Sequence, residues 1–162
     1  MNSTKLIRNL FCSRQKEIDL YATQAEAIQN RIFHKLIQHS SATEWGRKYS
    51  YAQIKEYTDF QHVPVQTYED AKGYIDRMRH GEKDILCPGK VIWYAKSSGT
   101  TNDKSKFIPV SPEGLKNIHY RGGTDAVALY LRENPESRFF SGKGLILGGS
   151  HSPNYNVKDS LV

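Results

Sequence analysis

Apolar residues recur at three- and four-residue spacing through the first 45 positions: Leu6, Ile7, Leu10, Phe11 and Ile18, then Ala25, Ile28, Ile32, Leu36 and Ile37. That is the period of an amphipathic helix, so residues 1–45 are predicted to form a helical pair. Ser3 or Thr4 is placed to cap the first helix, and Ser40, Ser41 and Gly46 end the second. The pair carries no chemistry and reads as two helices packed on the body of a larger fold. A membrane-surface helix is the rival, but the polar face mixes both charge signs.

From 46 to 67 the pattern lapses into loop punctuated by Gly46 and Pro64. Helical spacing returns over Tyr68–His80, with Ala71, Tyr74, Ile75 and Met78 on one face and Gly81 just past the end. Pro88-Gly89 makes a turn, and the β-branched and aromatic run Val91–Ala95 reads as a strand. A polar loop, 96–106, leads to a second strand at Phe107–Val110. Ser111 caps a helix with Pro112 at its first position. That helix runs to Glu133, weakened at Gly122-Gly123 and broken by Asn134-Pro135. Leu145-Ile146-Leu147, between Gly144 and Gly148, is a further buried-strand candidate.

The fold class is therefore α/β. Three short strands cannot bury these helices, so the chain reads as part of a larger fold whose sheet is completed elsewhere. It is taken as one portion of a single domain, in segments 1–45, 46–90, 91–110 and 111–162.

Composition adds limits more than direction. A chain of 162 residues with 38% hydrophobic and 25% charged residues is globular rather than disordered. The net charge of +6 admits nucleic acid, anionic lipid or a polyphosphate as partner, yet no run of like charge concentrates it. Between Ile85 and Val110, however, Lys90, Lys96, Lys104 and Lys106 face only Asp103. Cys12 and Cys87 form no CxxC motif, which argues against a disulfide framework or zinc site and for two reduced thiols in a cytoplasmic protein. His34 and His39 are five apart, the wrong spacing for a metal pair on one helix, and His62, His80, His119 and His151 are isolated. No metal site is expected, and His151 is given no role. No apolar run approaches the roughly 20 residues of a membrane span.

The segment Lys96–Lys106 holds five hydroxyl side chains, one glycine and three lysines in eleven residues. Gly99 lets the backbone turn its N–H groups inward, the hydroxyls of Ser97, Ser98, Thr100, Thr101 and Ser105 donate, and Lys104 and Lys106 supply positive charge. Such a loop suits phosphate; on composition alone it reads equally as a polar hairpin tip. It is not a Walker loop, because Asp103 and not glycine precedes Lys104. GxGxxG and the GxSxG hydrolase elbow are absent as well.

Ser97-Ser98-Gly99-Thr100-Thr101, with Lys106 five places beyond the second threonine, resembles the first nucleotide motif of adenylate-forming enzymes. The extra residue before the lysine, followed by Phe107-Ile108-Pro109, is similar to one branch, the auxin-responsive acyl-acid amido synthetases. That branch includes bacterial members, and the chain reads as one of them. Thr43-Glu44-Trp45-Gly46-Arg47-Lys48-Tyr49, Val63-Pro64-Val65 with Tyr68-Glu69, Gly81-Glu82 and Pro88-Gly89 resemble the same branch. The likeness covers most of residues 43–149. Asp103 stands where the family often has glycine.

The resemblance implies the N-terminal part of the large domain of an adenylating enzyme. ATP and a carboxylic acid would give an acyl-adenylate, and an amine, usually of an amino acid, would then take the acyl group. ATP and Mg2+ are the implied cofactors, with no nucleic acid or membrane as partner. Ser97, Ser98, Gly99, Thr100, Thr101, Lys104 and Lys106 would bind the nucleotide, and Arg121 the substrate carboxylate. The catalytic residues are not assigned, and this chain by itself is expected to be inactive. The alternatives are an acyl-CoA synthetase type of ligase, a basic nucleic-acid-binding module and a fragment without catalysis.

Overall fold

A computed structural model describes residues 3–97 and 106–145. The order is α1 (Ser3–Thr23), α2 (Ala25–Ser40), α3 (Glu44–Lys48), a 3-10 turn (Tyr51–Gln53), α4 (Tyr57–Phe60), α5 (Tyr68–Arg79), β1 (Trp93–Lys96), β2 (Phe107–Val110), α6 (Pro112–Gly114), a π-helical segment (Leu115–Tyr120) and α7 (Arg121–Glu133). Helices with a small two-stranded sheet place the chain in the α/β class. Two compact units divide it, one built from Met1–Ile28 and Glu113–Ser150, the other centred on Gln29–Pro112.

In the first unit α1 packs along α7. Ala128 and Leu131 of α7 are buried. Polar bonds set the register: the Arg14 guanidinium forks onto Asp125 at 2.8 and 2.9 Å, and Arg132 reaches Asp19 at 2.8 Å. Both carboxylate and guanidinium of the first pair are largely buried, so each neutralises a charge the other would leave stranded. Thr4 does not cap α1. It lies inside the first turn, buried, and its Oγ1 accepts the Phe140 N–H at 3.2 Å.

Pro112 opens a helical stretch that continues to Glu133. Gly122-Gly123 do not interrupt it; the irregularity falls a turn earlier, as the π-helical segment. Leu145 is not in a strand, and Ile146-Leu147 lie outside the described residues.

In the second unit the core is Ile75 and Met78 of α5 with Ile85, Val91 and Tyr94. The apolar face read from sequence for α5 is the face that is buried. Thr67 and Asp70 form a capping box at its start, and Gly81 follows its end at φ +95°, a conformation glycine adopts without strain. Residues 46–67, expected as loop, instead carry α3, the 3-10 turn and α4. These elements have three to five residues each, too few for a hydrophobic period, and they form because partners take their free backbone groups. Thr43, fully buried, caps α3 by accepting the Gly46 N–H, while the N–H groups of Glu44 and Trp45 donate to the carbonyls of Asp84 and Ile85 at 2.8 and 3.0 Å. Arg77 then clasps Glu44 bidentately at 2.8 and 2.9 Å and Glu82 at 2.7 Å. Gly46, expected to end α2, sits inside α3. Cys87 is a free thiol packed beside the core, and burial pushes its pKa up, away from thiolate reactivity.

The acid response of this unit follows from its caps. Hydrogen bonds from the Thr67 hydroxyl and backbone N–H hold Asp70 below the ordinary carboxylate range, and backbone N–H groups of Lys55 and Glu56 do the same for Asp59. A folded-state pKa below the unfolded one contributes stability that is complete above the unfolded value and disappears as pH falls through the folded one. The urea midpoint is therefore expected to hold steady from neutrality down to about pH 5 and to fall below about pH 4. Asp70→Asn should flatten that acid limb, and an unchanged limb would remove Asp70 from the account.

Candidate nucleotide-phosphate site

The site is built on the β1–β2 hairpin. Its strands pair antiparallel, from Trp93 opposite Val110 to Lys96 opposite Phe107. Beyond that last pair the neck is closed twice: the Ser97 N–H donates to the Lys106 carbonyl at 2.9 Å, and the Lys106 N–H donates to Ser97 Oγ at 3.0 Å. Ser97 thus uses its oxygen as an acceptor in the neck and keeps its hydroxyl proton to donate. Ser98, Gly99, Thr100, Thr101, Asp103 and Lys104 lie outside the described residues.

Beside the neck, α5 and the hairpin enclose a cleft of about 400 Å³. Tyr68, Glu69, Lys72, Asp76 and Arg79 come from α5, Lys96 from β1, and Lys106 and Phe107 from the start of β2. Two of its cations are matched by acids one turn away, Lys72 to Glu69 at 3.7 Å and Arg79 to Asp76 at 3.3 Å. The surplus is positive and is carried by Lys96 and Lys106, one on each side of the neck. A concave surface with that sign raises the local concentration of anions.

Three contacts tie the hairpin to α5. The Tyr68 hydroxyl oxygen accepts the Phe107 N–H at 3.0 Å. The Lys106 ammonium lies over the Tyr68 ring, 5.2 Å from its centre, and the Arg79 guanidinium stacks on the Phe107 ring at 3.7 Å. Sequence reading missed this face of α5. Its signal was present as Tyr68, Lys72, Asp76 and Arg79, spaced four, four and three on one side of the helix.

Of the residues read as nucleotide-binding, the structure therefore brings Ser97 and Lys106 together. Arg121 is exposed at the start of α7, in the other compact unit, directly after the π-helical segment. Among the described residues, no group of three or more His, Cys, Asp or Glu is arranged to hold a metal ion, and no helix is long and apolar enough to cross a membrane.

A family model described as the GH3 family N-terminal domain matches residues 14–157, nearly the whole chain and all of the hairpin. The chain belongs to the GH3 family. Indole-3-acetic acid-amido synthetase GH3.15 of Arabidopsis thaliana is 33% identical over 95 residues, 58% of this chain and 16% of that protein. Jasmonoyl–L-amino acid synthetase JAR4 of Nicotiana attenuata is 28% identical over 104 residues, 63% of this chain and 18% of its own length. A solved structure, AtGH3.15 acyl acid amido synthetase in complex with 2,4-DB, superposes with a TM-score of 0.63 and 27% identity over 77% of this chain and 21% of that one. The fold is thus that of the N-terminal portion of a GH3 enzyme, and the chain spans less than a fifth of the GH3 relatives it matches. These relatives are plant proteins and lend no support to a bacterial source.

Proposed function

We propose that this chain supplies the phosphate-binding part of an ATP-dependent acyl-acid amido synthetase and acts within a polypeptide of its relatives' length. The observation that supports this most is the hairpin neck. Ser97 and Lys106 are locked together at the two ends of the Ser98–Ser105 loop, whose sequence has the hydroxyl, glycine and lysine content a polyphosphate needs.

In the first half-reaction, a carboxylate oxygen of the acid attacks the α-phosphorus of MgATP. The bond from that phosphorus to the bridging oxygen breaks, and pyrophosphate leaves carrying the electron pair. Magnesium arrives with the nucleotide as part of the substrate and supplies Lewis-acid charge to the phosphates. This chain's contribution is a set of hydrogen-bond donors and positive charges for the leaving pyrophosphate, which stabilise its charge as it develops. Ser98, Thr100 and Thr101 donate to the β- and γ-phosphates, Gly99 allows the turn, and Ser97 holds the neck with its hydroxyl proton to spare. Lys106 adds positive charge, and Lys104 adds a second charge from within the loop. In the second half-reaction an amine attacks the acyl carbon and AMP departs. An amine is favoured over a thiol because the names of the relatives specify amino acid products, including the 4-substituted benzoates-glutamate ligase GH3.12 of Arabidopsis thaliana.

Arg121 is assigned to the acid's carboxylate. It is an exposed cation, and Ile118, three residues earlier, leaves 75% of its surface open, so charge and apolar surface lie close together. That combination suits a carboxylic acid with an apolar body. Arg121→Ala is expected to raise the KM for the acid roughly tenfold, the size of one charge-assisted hydrogen bond, and to leave the KM for ATP unchanged. Equal effects on both, or none on the acid, would withdraw the assignment. The activity itself is tested by product balance: one AMP and one pyrophosphate per amide formed, with no ADP.

A further inference from the structure

The hairpin's second strand begins on a phenol. Thr67 caps α5 and forms a box with Asp70, so Tyr68 is fixed as the first helical residue. Its ring is half-buried against the core that Ile75 and Met78 share with Val91 and Tyr94. Two bonds leave this anchored side chain for the hairpin. Its oxygen takes the Phe107 N–H at 3.0 Å, and its face lies under the Lys106 ammonium at 5.2 Å. Lys106 is otherwise exposed on a flexible four-carbon stem, a side chain with much rotamer freedom to lose when it meets an anion. Arg79, from the last turn of α5, stacks on Phe107 at 3.7 Å and keeps that residue from sliding along the helix.

From this we infer that Tyr68 is a positioning residue for nucleotide binding: it holds the Lys106 ammonium at the neck of the phosphate loop before ATP arrives. The inference rests on the assignment of Lys106 to the phosphates. Its physical content is preorganisation. A cation already held over a ring face by its quadrupole loses less freedom on binding than one moving in solvent. The N–H bond to Phe107 fixes the backbone from which that cation springs.

The test uses the full-length protein and four variants: Tyr68→Phe, Tyr68→Leu, Lys106→Ala and the Tyr68→Leu/Lys106→Ala double. MgATP affinity is measured by titration calorimetry alongside the KM values for ATP and acid. Tyr68→Phe keeps the ring and its packing but loses the oxygen that accepts from Phe107. It is expected to weaken ATP about threefold, while Tyr68→Leu weakens it about tenfold, and neither moves the KM for the acid. In the Lys106→Ala background, Tyr68→Leu should cost nothing further. Additive losses, or a rise in both KM values together, would show that Tyr68 only supports the fold and would overturn the inference. No effect of Lys106→Ala on ATP affinity would overturn it as well. If acid-dependent chemistry is absent while the calorimetric pattern holds, the inference stands and the proposed reaction falls.

Discussion

Replacing Gly46 with alanine is expected to destabilise the unit around residues 29–112 by about 3 kcal/mol or more. A Cβ built on Gly46 would lie 2.0 Å from the Ser40 carbonyl oxygen and 3.0 Å from Ser41 Cα. Both are backbone atoms, so no side chain can swing aside. The same carbonyl accepts the Thr43 hydroxyl at 2.7 Å and the Thr43 N–H at 3.0 Å, and the Thr43 hydroxyl oxygen takes the Gly46 N–H at 2.9 Å. Moving Ser40 therefore breaks the buried cap of α3 as well as relieving the clash. Gly73 is the control. It lies exposed within α5 with nothing within 4 Å of its added Cβ, so Gly73→Ala should be neutral or stabilising by up to about 1 kcal/mol. Urea denaturation of both variants distinguishes a packing role for Gly46 from a general sensitivity to alanine. A mild Gly46→Ala would mean that α2 and α3 approach less closely than described.

The second large effect is expected at Lys106. A charge-assisted hydrogen bond to phosphate is worth about 1.5–3 kcal/mol, so Lys106→Ala should lower kcat/KM for ATP roughly 10- to 100-fold. Because pyrophosphate gains charge as it leaves, part of that loss should fall on kcat, beyond what weaker ground-state binding produces. Lys106→Arg keeps the charge but presents a planar fork in place of a compact ammonium, so it should recover part of the activity. Folding should change little, since Lys106 is exposed and its ammonium rests on the Tyr68 ring face rather than on a buried acid. A Lys106→Ala enzyme with unaltered ATP kinetics would mean that the lysine is a surface residue of the neck and nothing more.

What could be read from the sequence divides along a physical line. The hairpin and α5 were legible because their signals are local. Val91–Ala95 and Phe107–Val110 are short apolar runs on either side of a polar loop, though β1 itself begins two residues later and takes in Lys96, and α5 has a full helical period between Thr67 and Gly81. What depends on distant partners was not legible. Nothing near Arg14 announces Asp125, more than a hundred positions away, so the apolar period shows that α1 packs on the body of the fold but not that α7 is the helix it meets. The short elements of 44–60 escaped for two reasons: α3 is held by distant partners, Asp84, Ile85 and Arg77, while the 3-10 turn and α4 are too short for a hydrophobic period and rest on local bonds such as the Glu56–Asp59 capping box. Two glycines drew attention to the middle of the long helix, yet the chain stays helical through them and departs from α geometry at Leu115–Tyr120. At the site, Lys106 was found from its spacing to the threonines, whereas Tyr68 was read as the start of a helix and part of a family-like string, with no role at the loop. The Thr43–Tyr49 string proves to be a structural knot, with a cap, a close glycine approach and the Trp45–Tyr74 ring contact at 5.2 Å.

The most direct test of the central claim is exchange of labelled pyrophosphate into ATP by the full-length protein, run across a panel of carboxylic acids with no amine present. Reversal of adenylation returns label to ATP only when an acid has been activated. The expected result is exchange that requires one class of acid and falls roughly 10- to 100-fold in Lys106→Ala. Exchange without any acid, or an ATP turnover that yields ADP, would contradict the account.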